Sequence, residues 1–124
     1  MKFRLVEKYR YWWPVTVRIP DPDQPGAVIE QQLRVQFQPL GRGEELANQE
    51  AYAKLRDPRE RARREHDLLR QICVNWDDVI DAEGGAVAFS PDVFEEALQS
   101  AWFRNAIYAA YAASLKGEAA RLGN

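Results

Sequence analysis

Trp76-Asp77-Asp78-Val79-Ile80-Asp81-Ala82-Glu83-Gly84-Gly85-Ala86-Val87-Ala88-Phe89-Ser90-Pro91 reads as an acidic loop, closed by a glycine pair and followed by a helix start. Gly84 and Gly85 allow positive φ, so the chain can reverse sharply there. Phe89 then returns an apolar side chain. Ser90 is a good N-cap, Pro91 suits the first helical position, and Asp92 faces the positive end of the helix dipole. Val93, Phe94, Ala97 and Leu98 recur at helical spacing and form one apolar face of a short helix. A second helical run carries Phe103, Ile107, Ala110, Tyr111 and Ser114 on one side, with Ala106, Ala109, Ala112 and Ala113 elsewhere, and Gly117 as its C-terminal stop. Residues from Trp76 to Leu122 therefore predict loop, helix, helix. The small residues of the last helix let a neighbouring helix or partner come close.

Upstream, Val15, Val17 and Ile19 alternate with Thr16 and Arg18, a period-two strand with one buried face. Pro20-Asp21-Pro22-Asp23-Gln24-Pro25-Gly26 cannot continue a ladder and predicts a loop. Leu33, Val35 and Phe37 alternate with Gln32, Arg34 and Gln36, with Ile29 in phase, and give the second strand. The two strands make a hairpin whose apolar face needs a helix or a third strand to cover it. Before it, Lys2, Phe3, Arg4, Leu5, Lys8, Tyr9, Arg10, Tyr11, Trp12 and Trp13 mix cations with aromatics. Such a mixture can bind single-stranded nucleic acid. Here Phe3 and Leu5 alternating with Lys2 and Arg4 favour a half-buried strand instead, with Tyr11 to Trp13 packing over the domain end. Glu44 to Leu55 favour a helix with acids in its first turn. Asp57-Pro58 breaks it and caps the next one. In that helix Ala62, His66, Leu69, Ile72 or Cys73, and Trp76 share one stripe. The expected architecture is an α+β domain over residues 1–124. It has an N-terminal antiparallel hairpin region (1–40), with room for an extra edge strand. A region of about four helices (43–124) follows, containing the loop 77–89.

A chain of 124 residues with 46% hydrophobic and 29% charged residues can bury a core. Its net charge of −2 supplies no global field for nucleic acid or acidic membranes. One cysteine rules out an internal disulfide framework and fits a reducing cytoplasm. No stretch approaches the ~20 apolar residues of a membrane span, and charges interrupt the first residues where a secretion signal needs an apolar run.

Each candidate chemistry has a plainer explanation in the residues. Arg59 to Glu65 carries its own acids, and Glu60-Arg64 has the favourable order for a self-paired helix face. Asp77, Asp78, Asp81 and Glu83 do not follow the alternating oxygen pattern of a calcium loop. Asp81 is better placed to accept backbone N–H bonds in its own turn. His66 and Cys73 fall about 10 Å apart along one helix, too far for a nucleophile pair. No phosphate loop, dinucleotide turn or serine elbow is present. The residues point to no enzyme, cofactor or metal. The aromatics exceed what a small core needs, and aromatics at partly exposed positions mark protein-binding surfaces. Trp76 and Phe89 are assigned to the core, and Trp12, Trp13, Trp102, Tyr108 and Tyr111 to a partner-binding surface.

The order of Trp76, Val79, Asp81, Gly84, Phe89 and Ser90, followed by Ala110-Tyr111, resembles the tail assembly chaperones of long-tailed bacteriophages and prophages. In that family a Trp opens an Asp-containing, Gly-turned loop. The loop leads to a Phe-Ser helix start and then to a late helix carrying Ala-Tyr. Asn75 stands where the family carries Gly. The resemblance implies a non-enzymatic protein of the bacterial host cytoplasm. Several copies, alone or as a homo-oligomer, would cover the long helical tape measure protein during tail assembly. Two other readings are a different phage structural or morphogenesis protein, and a small nucleic-acid-binding regulator using residues 2–13 and 59–70.

Overall fold

The computed structural model describes residues 1–120; Leu122, and with it the end of the expected helical region at 121–124, lies outside the described residues. Strands β1 (Tyr11–Pro20) and β2 (Val28–Phe37) form the hairpin. They run antiparallel, from Tyr11 opposite Phe37 to Pro20 opposite Val28. The connecting turn is closed by the Asp21 amide donating to the Ala27 carbonyl at 2.9 Å, with Gly26 at φ 84°. The alternation of Val15 and Val17 with Leu33 and Val35 puts all four in the core, as the period-two pattern requires. Pro14 and Pro20 are tolerated because β1 is an edge strand in the order β1-β2-β3.

The third strand is β3 (Cys73–Asp77), paired antiparallel with β2 on its other side. This corrects the expected long helix from Pro58 through Trp76. The chain instead makes α2 (Pro58–Arg64), breaks at Glu65-His66, makes α3 (Asp67–Ile72) and then extends. In β3, Cys73 pairs with Phe37 while Asn75 pairs with Gln36, so the register shifts and Val74 is the extra residue of a bulge. Cys73 and Trp76 therefore both face the core although they are an odd number of positions apart. Helix α1 (Arg42–Ala53) matches the expected segment but buries none of its residues. It is tied down by the Asn48–Gln71 hydrogen bond at 2.7 Å and by the Arg61 guanidinium 4.5 Å from the centre of the Tyr52 ring. Helices α4 (Pro91–Ala97) and α5 (Ala101–Ser114) complete the α+β fold, with α5 lying against β1.

The expected strand through Phe3 and Leu5 is absent. Residues 1–10 carry no regular structure, and Phe3 and Leu5 are each 89% exposed. The sheet begins at Tyr11, where Tyr11 and Trp13 reach the apolar face and find Phe37 and α5 to pack on. Residues 2–5 have no such neighbour, so alternation there has no buried face to serve.

Candidate functional site

The acidic loop after Trp76 is a small hairpin. The Val87 amide donates to the Val79 carbonyl at 2.8 Å, and the Asp81 amide donates to the Gly85 carbonyl at 2.9 Å. Asp81 Oδ1 accepts from the Glu83 amide at 3.0 Å and from the Gly85 amide at 2.9 Å, the in-turn role expected for it. Gly84 takes φ 85°, but Gly85 does not take a positive φ. A Cβ at Gly85 would stand 3.1 Å from the Asp81 carboxylate, so a side chain there would press on the group that holds the turn. Ser90 caps α4 by accepting from the Val93 amide at 3.2 Å, with Pro91 at the first helical position. Trp76 lies at the centre of the rings of Phe89, Phe94 and Phe103, with centroids 5.4, 6.1 and 6.3 Å away. Its indole Nε1 donates to the Val87 carbonyl at 2.8 Å, so the buried N–H is satisfied. Trp76, Asp81, Gly84, Phe89 and Ser90 thus join β3, the loop and α4 into one structural unit.

The five residues assigned to a partner surface do not form one patch. Trp12 and Trp102 are 44% and 51% exposed. Trp12 pairs with Gln36 near the start of β1, whereas Trp102 opens onto a groove lined by Ile19 and Gln31 at the far end of the hairpin. Trp13 is half-buried, its ring edge-on to Tyr11 at 6.2 Å, because it lies on the opposite face of β1 from Trp12. Tyr111 packs on Phe37 at 5.4 Å, and burial pushes its hydroxyl above the usual tyrosine range. Tyr108 is half-buried, and its hydroxyl lies 2.8 Å from His66 Nδ1. Trp13, Tyr108 and Tyr111 thus flank the core as well as reaching the surface.

Two of the surface grooves carry apolar residues on facing walls; the first also has Lys116 and Glu118 in its lining. One runs between β1 and α5, where Trp13, Pro14 and Thr16 face Ala106, Ala109, Ala110 and Ala113 across about 330 Å³. Ala109 and Ala113 are exposed and one helical turn apart, so the floor of the groove is nearly bare backbone. The other groove, about 680 Å³, lies between the hairpin, the 78–82 turn and the start of α5. Residues 78–82, part of the acidic loop in sequence, line it. Their grouping with Trp102 and Ile19 depends on contacts distant in the chain.

The polar constellations are committed to one another. Arg70 makes a two-pronged contact with Glu95, each prong 2.7 Å, and a third bond to Asp67 at 2.8 Å. The hydrogen bonds to Arg70 hold the Glu95 carboxyl below the usual glutamate range. Arg63 pairs with Glu60, and Arg64 with Asp67 at 2.9 Å, so these cations of residues 59–70 are spent within the fold. A carboxylate whose folded pKa is lowered adds stability above its unfolded value and loses it as pH falls through the folded value. Glu95→Gln is therefore expected to lose under about 1 kcal/mol at neutral pH, since the pair is partly exposed. The gap between parent and variant should begin to narrow as pH falls below the ordinary glutamate value of about 4.3 and go on narrowing through the lowered folded value, as followed by urea melts. A gap that does not narrow at all as the solution is acidified rejects the assignment.

Cys73 is buried, and desolvation pushes its thiol up to about 12. That removes it as a nucleophile at neutral pH. A thiol reagent at pH 8 should label the folded protein at least about a hundredfold more slowly than the urea-unfolded chain, because reaction must wait for opening. Equal rates would place Cys73 at the surface. Among the described residues, no three of His, Cys, Asp and Glu come together in a way that could hold a metal ion, and no helix is long and apolar enough to cross a membrane. No protein-family model, no curated protein and no solved structure matches the chain.

Proposed function

We propose that the protein is a non-enzymatic tail assembly chaperone of a long-tailed bacteriophage or prophage. It works in the host cytoplasm and holds the tape measure protein until the tail tube assembles around it. The observation that carries this reading is the order Trp76, Asp81, Gly84, Phe89, Ser90 and Ala110-Tyr111 along the chain. A tape measure protein is a long helix with exposed apolar stripes, and it aggregates unless covered. The groove between β1 and α5 suits the cover: alanines on one wall admit a helix backbone closely, and Trp13 and Pro14 on the other offer apolar contact. Several copies spaced along one partner would cover a continuous stripe.

The test is to look beside the gene for a very long helical open reading frame and to co-express its product with this chain. The partner should move from the insoluble to the soluble fraction and co-purify with this chain. If it stays insoluble at equal expression, or is soluble alone, the chaperone reading is lost. Binding of this chain to single- or double-stranded nucleic acid at low salt would favour the regulator instead.

A further inference from the structure

We infer that the protein pairs with a second copy of itself by laying residues 1–6 of each chain into the groove beside Trp102 of the other. Two features of the same chain fit each other. The first is the segment before β1. Phe3 and Leu5 are 89% exposed, and Lys2, Arg4, Lys8 and Arg10 are set against the single acid Glu7. Exposed apolar side chains in an irregular segment gain nothing in isolation and are covered when a partner is present.

The second feature is the groove between the hairpin and the start of α5. Its walls are apolar, with Ile19, Leu33, Phe103, Ile80 and the exposed ring of Trp102. No lysine or arginine lines it, while Asp78 and Asp81 stand on its rim. Next to them are Asp77, which pairs with Arg34, and the exposed Glu83. Arg34 also reaches Asp78 at 3.3 Å, so Asp77 and Asp78 share one guanidinium, while Asp81 and Glu83 form no ion pair among the described residues. A segment that brings apolar side chains flanked by cations is complementary to an apolar groove with an acidic rim.

Geometry favours a second copy over the segment's own groove. The segment leaves the sheet at Tyr11, at the Phe37 end, whereas the groove is lined by Val17 and Ile19 towards the other end of β1. Six to eight strand residues separate these points, about 20–27 Å. Leu5 and Phe3 lie six and eight residues before Tyr11, so a fully extended chain would only just reach back. The bend at Glu7-Lys8 shortens that reach. A second copy meets no such limit, and a two-fold exchange makes both contacts at once. Phe3 belongs to a residue class that covers roughly 150–250 Å², and Leu5 adds to it, with a matching area covered on the groove. Two segments on two grooves therefore approach the roughly 1,200 Å² at which specific interfaces begin. Self-pairing of this kind is independent of which larger partner the protein holds.

Sedimentation of the whole chain should show a dimer at ~50 μM. Phe3→Ser with Leu5→Ser, and separately Ile80→Lys, should each raise the dissociation constant at least about tenfold. All three positions are exposed, so the fold is retained and circular dichroism should not change. In addition, Leu5→Cys protein mixed with Ile80→Cys protein should give a disulfide between two chains. A monomer at every concentration overturns the inference. So does a dimer that survives both variants, or a link that forms only within one chain when Leu5→Cys and Ile80→Cys are combined. A chain that stays monomeric and uses Phe3 and Leu5 to bind phosphatidylserine vesicles would assign the segment to membranes and also overturn it.

Discussion

Trp76→Ala is expected to remove about 3–5 kcal/mol of stability, a large part of what holds the fold together. Trp76 is 6% exposed, and its ring touches those of Phe89, Phe94 and Phe103, which come from the loop, α4 and α5. Removing a buried indole costs about 3–5 kcal/mol, from lost transfer energy and from the cavity left behind. The Val87 carbonyl loses its donor at the same time. Domains have only about 5–15 kcal/mol in total, so the loss is a large share of what there is. Trp76→Phe should be milder. It keeps a ring but strands that carbonyl, for a cost of about 1–3 kcal/mol. Urea melts followed by circular dichroism measure both. A loss below about 1 kcal/mol for Trp76→Ala would mean that the four rings do not hold the loop and helices together.

Ala109→Arg with Ala113→Arg should do the opposite: abolish partner rescue while leaving the fold intact. Both side chains are exposed on α5, so stability should change by no more than about 0.5 kcal/mol. Two long cationic side chains would fill the groove floor opposite Trp13 and Pro14 and hold a helix away. Soluble tape measure protein in the co-expression assay should fall at least about tenfold, in line with losing a central anchor of an interface. Trp13→Ala is a poor substitute for this pair. Trp13 packs on Tyr11 and flanks the core, so its loss mixes binding with stability. Full rescue by the alanine-to-arginine variant would move the binding surface off α5.

Local rules carried far along the chain where the stabilising partner is itself local. Asp57 accepts from the Arg59 amide at 3.1 Å and Ser90 from the Val93 amide, so both caps were readable within three residues. Asp81 and Gly84 were readable for the same reason. Alternation placed Val15, Val17, Leu33, Val35 and Phe37 correctly, because one face of a hairpin must be buried. The same rule failed at Phe3 and Leu5, where nothing folds back to cover them. It failed differently at Ile29, which keeps the phase of Leu33 and pairs with Ile19 near the turn, yet is 37% exposed.

The surface residues were hardest to read. Trp12 and Trp13 are adjacent and chemically alike, yet a strand sends them to opposite faces. Tyr108 and Tyr111 share the helical spacing of a surface stripe, but His66 and Phe37 were already waiting for them. Composition shows an excess of rings but not which of them have neighbours.

The amino-acid order alone determined the hairpin, the acidic turn, the capped helix after it and the α+β class, because alternation, capping atoms and glycine φ act over a few residues. The third strand was decided by tertiary structure. Leu69, Ile72 and Trp76 recur at helical spacing, and a bulge at Val74 brings Cys73 and Trp76 to one face of a strand at a spacing of three. Only the free edge of β2, with Phe37 opposite Cys73 and Val35 opposite Trp76, makes the extended form the better one. Those partners lie 36 and 41 positions apart in the chain, and no local preference can report them.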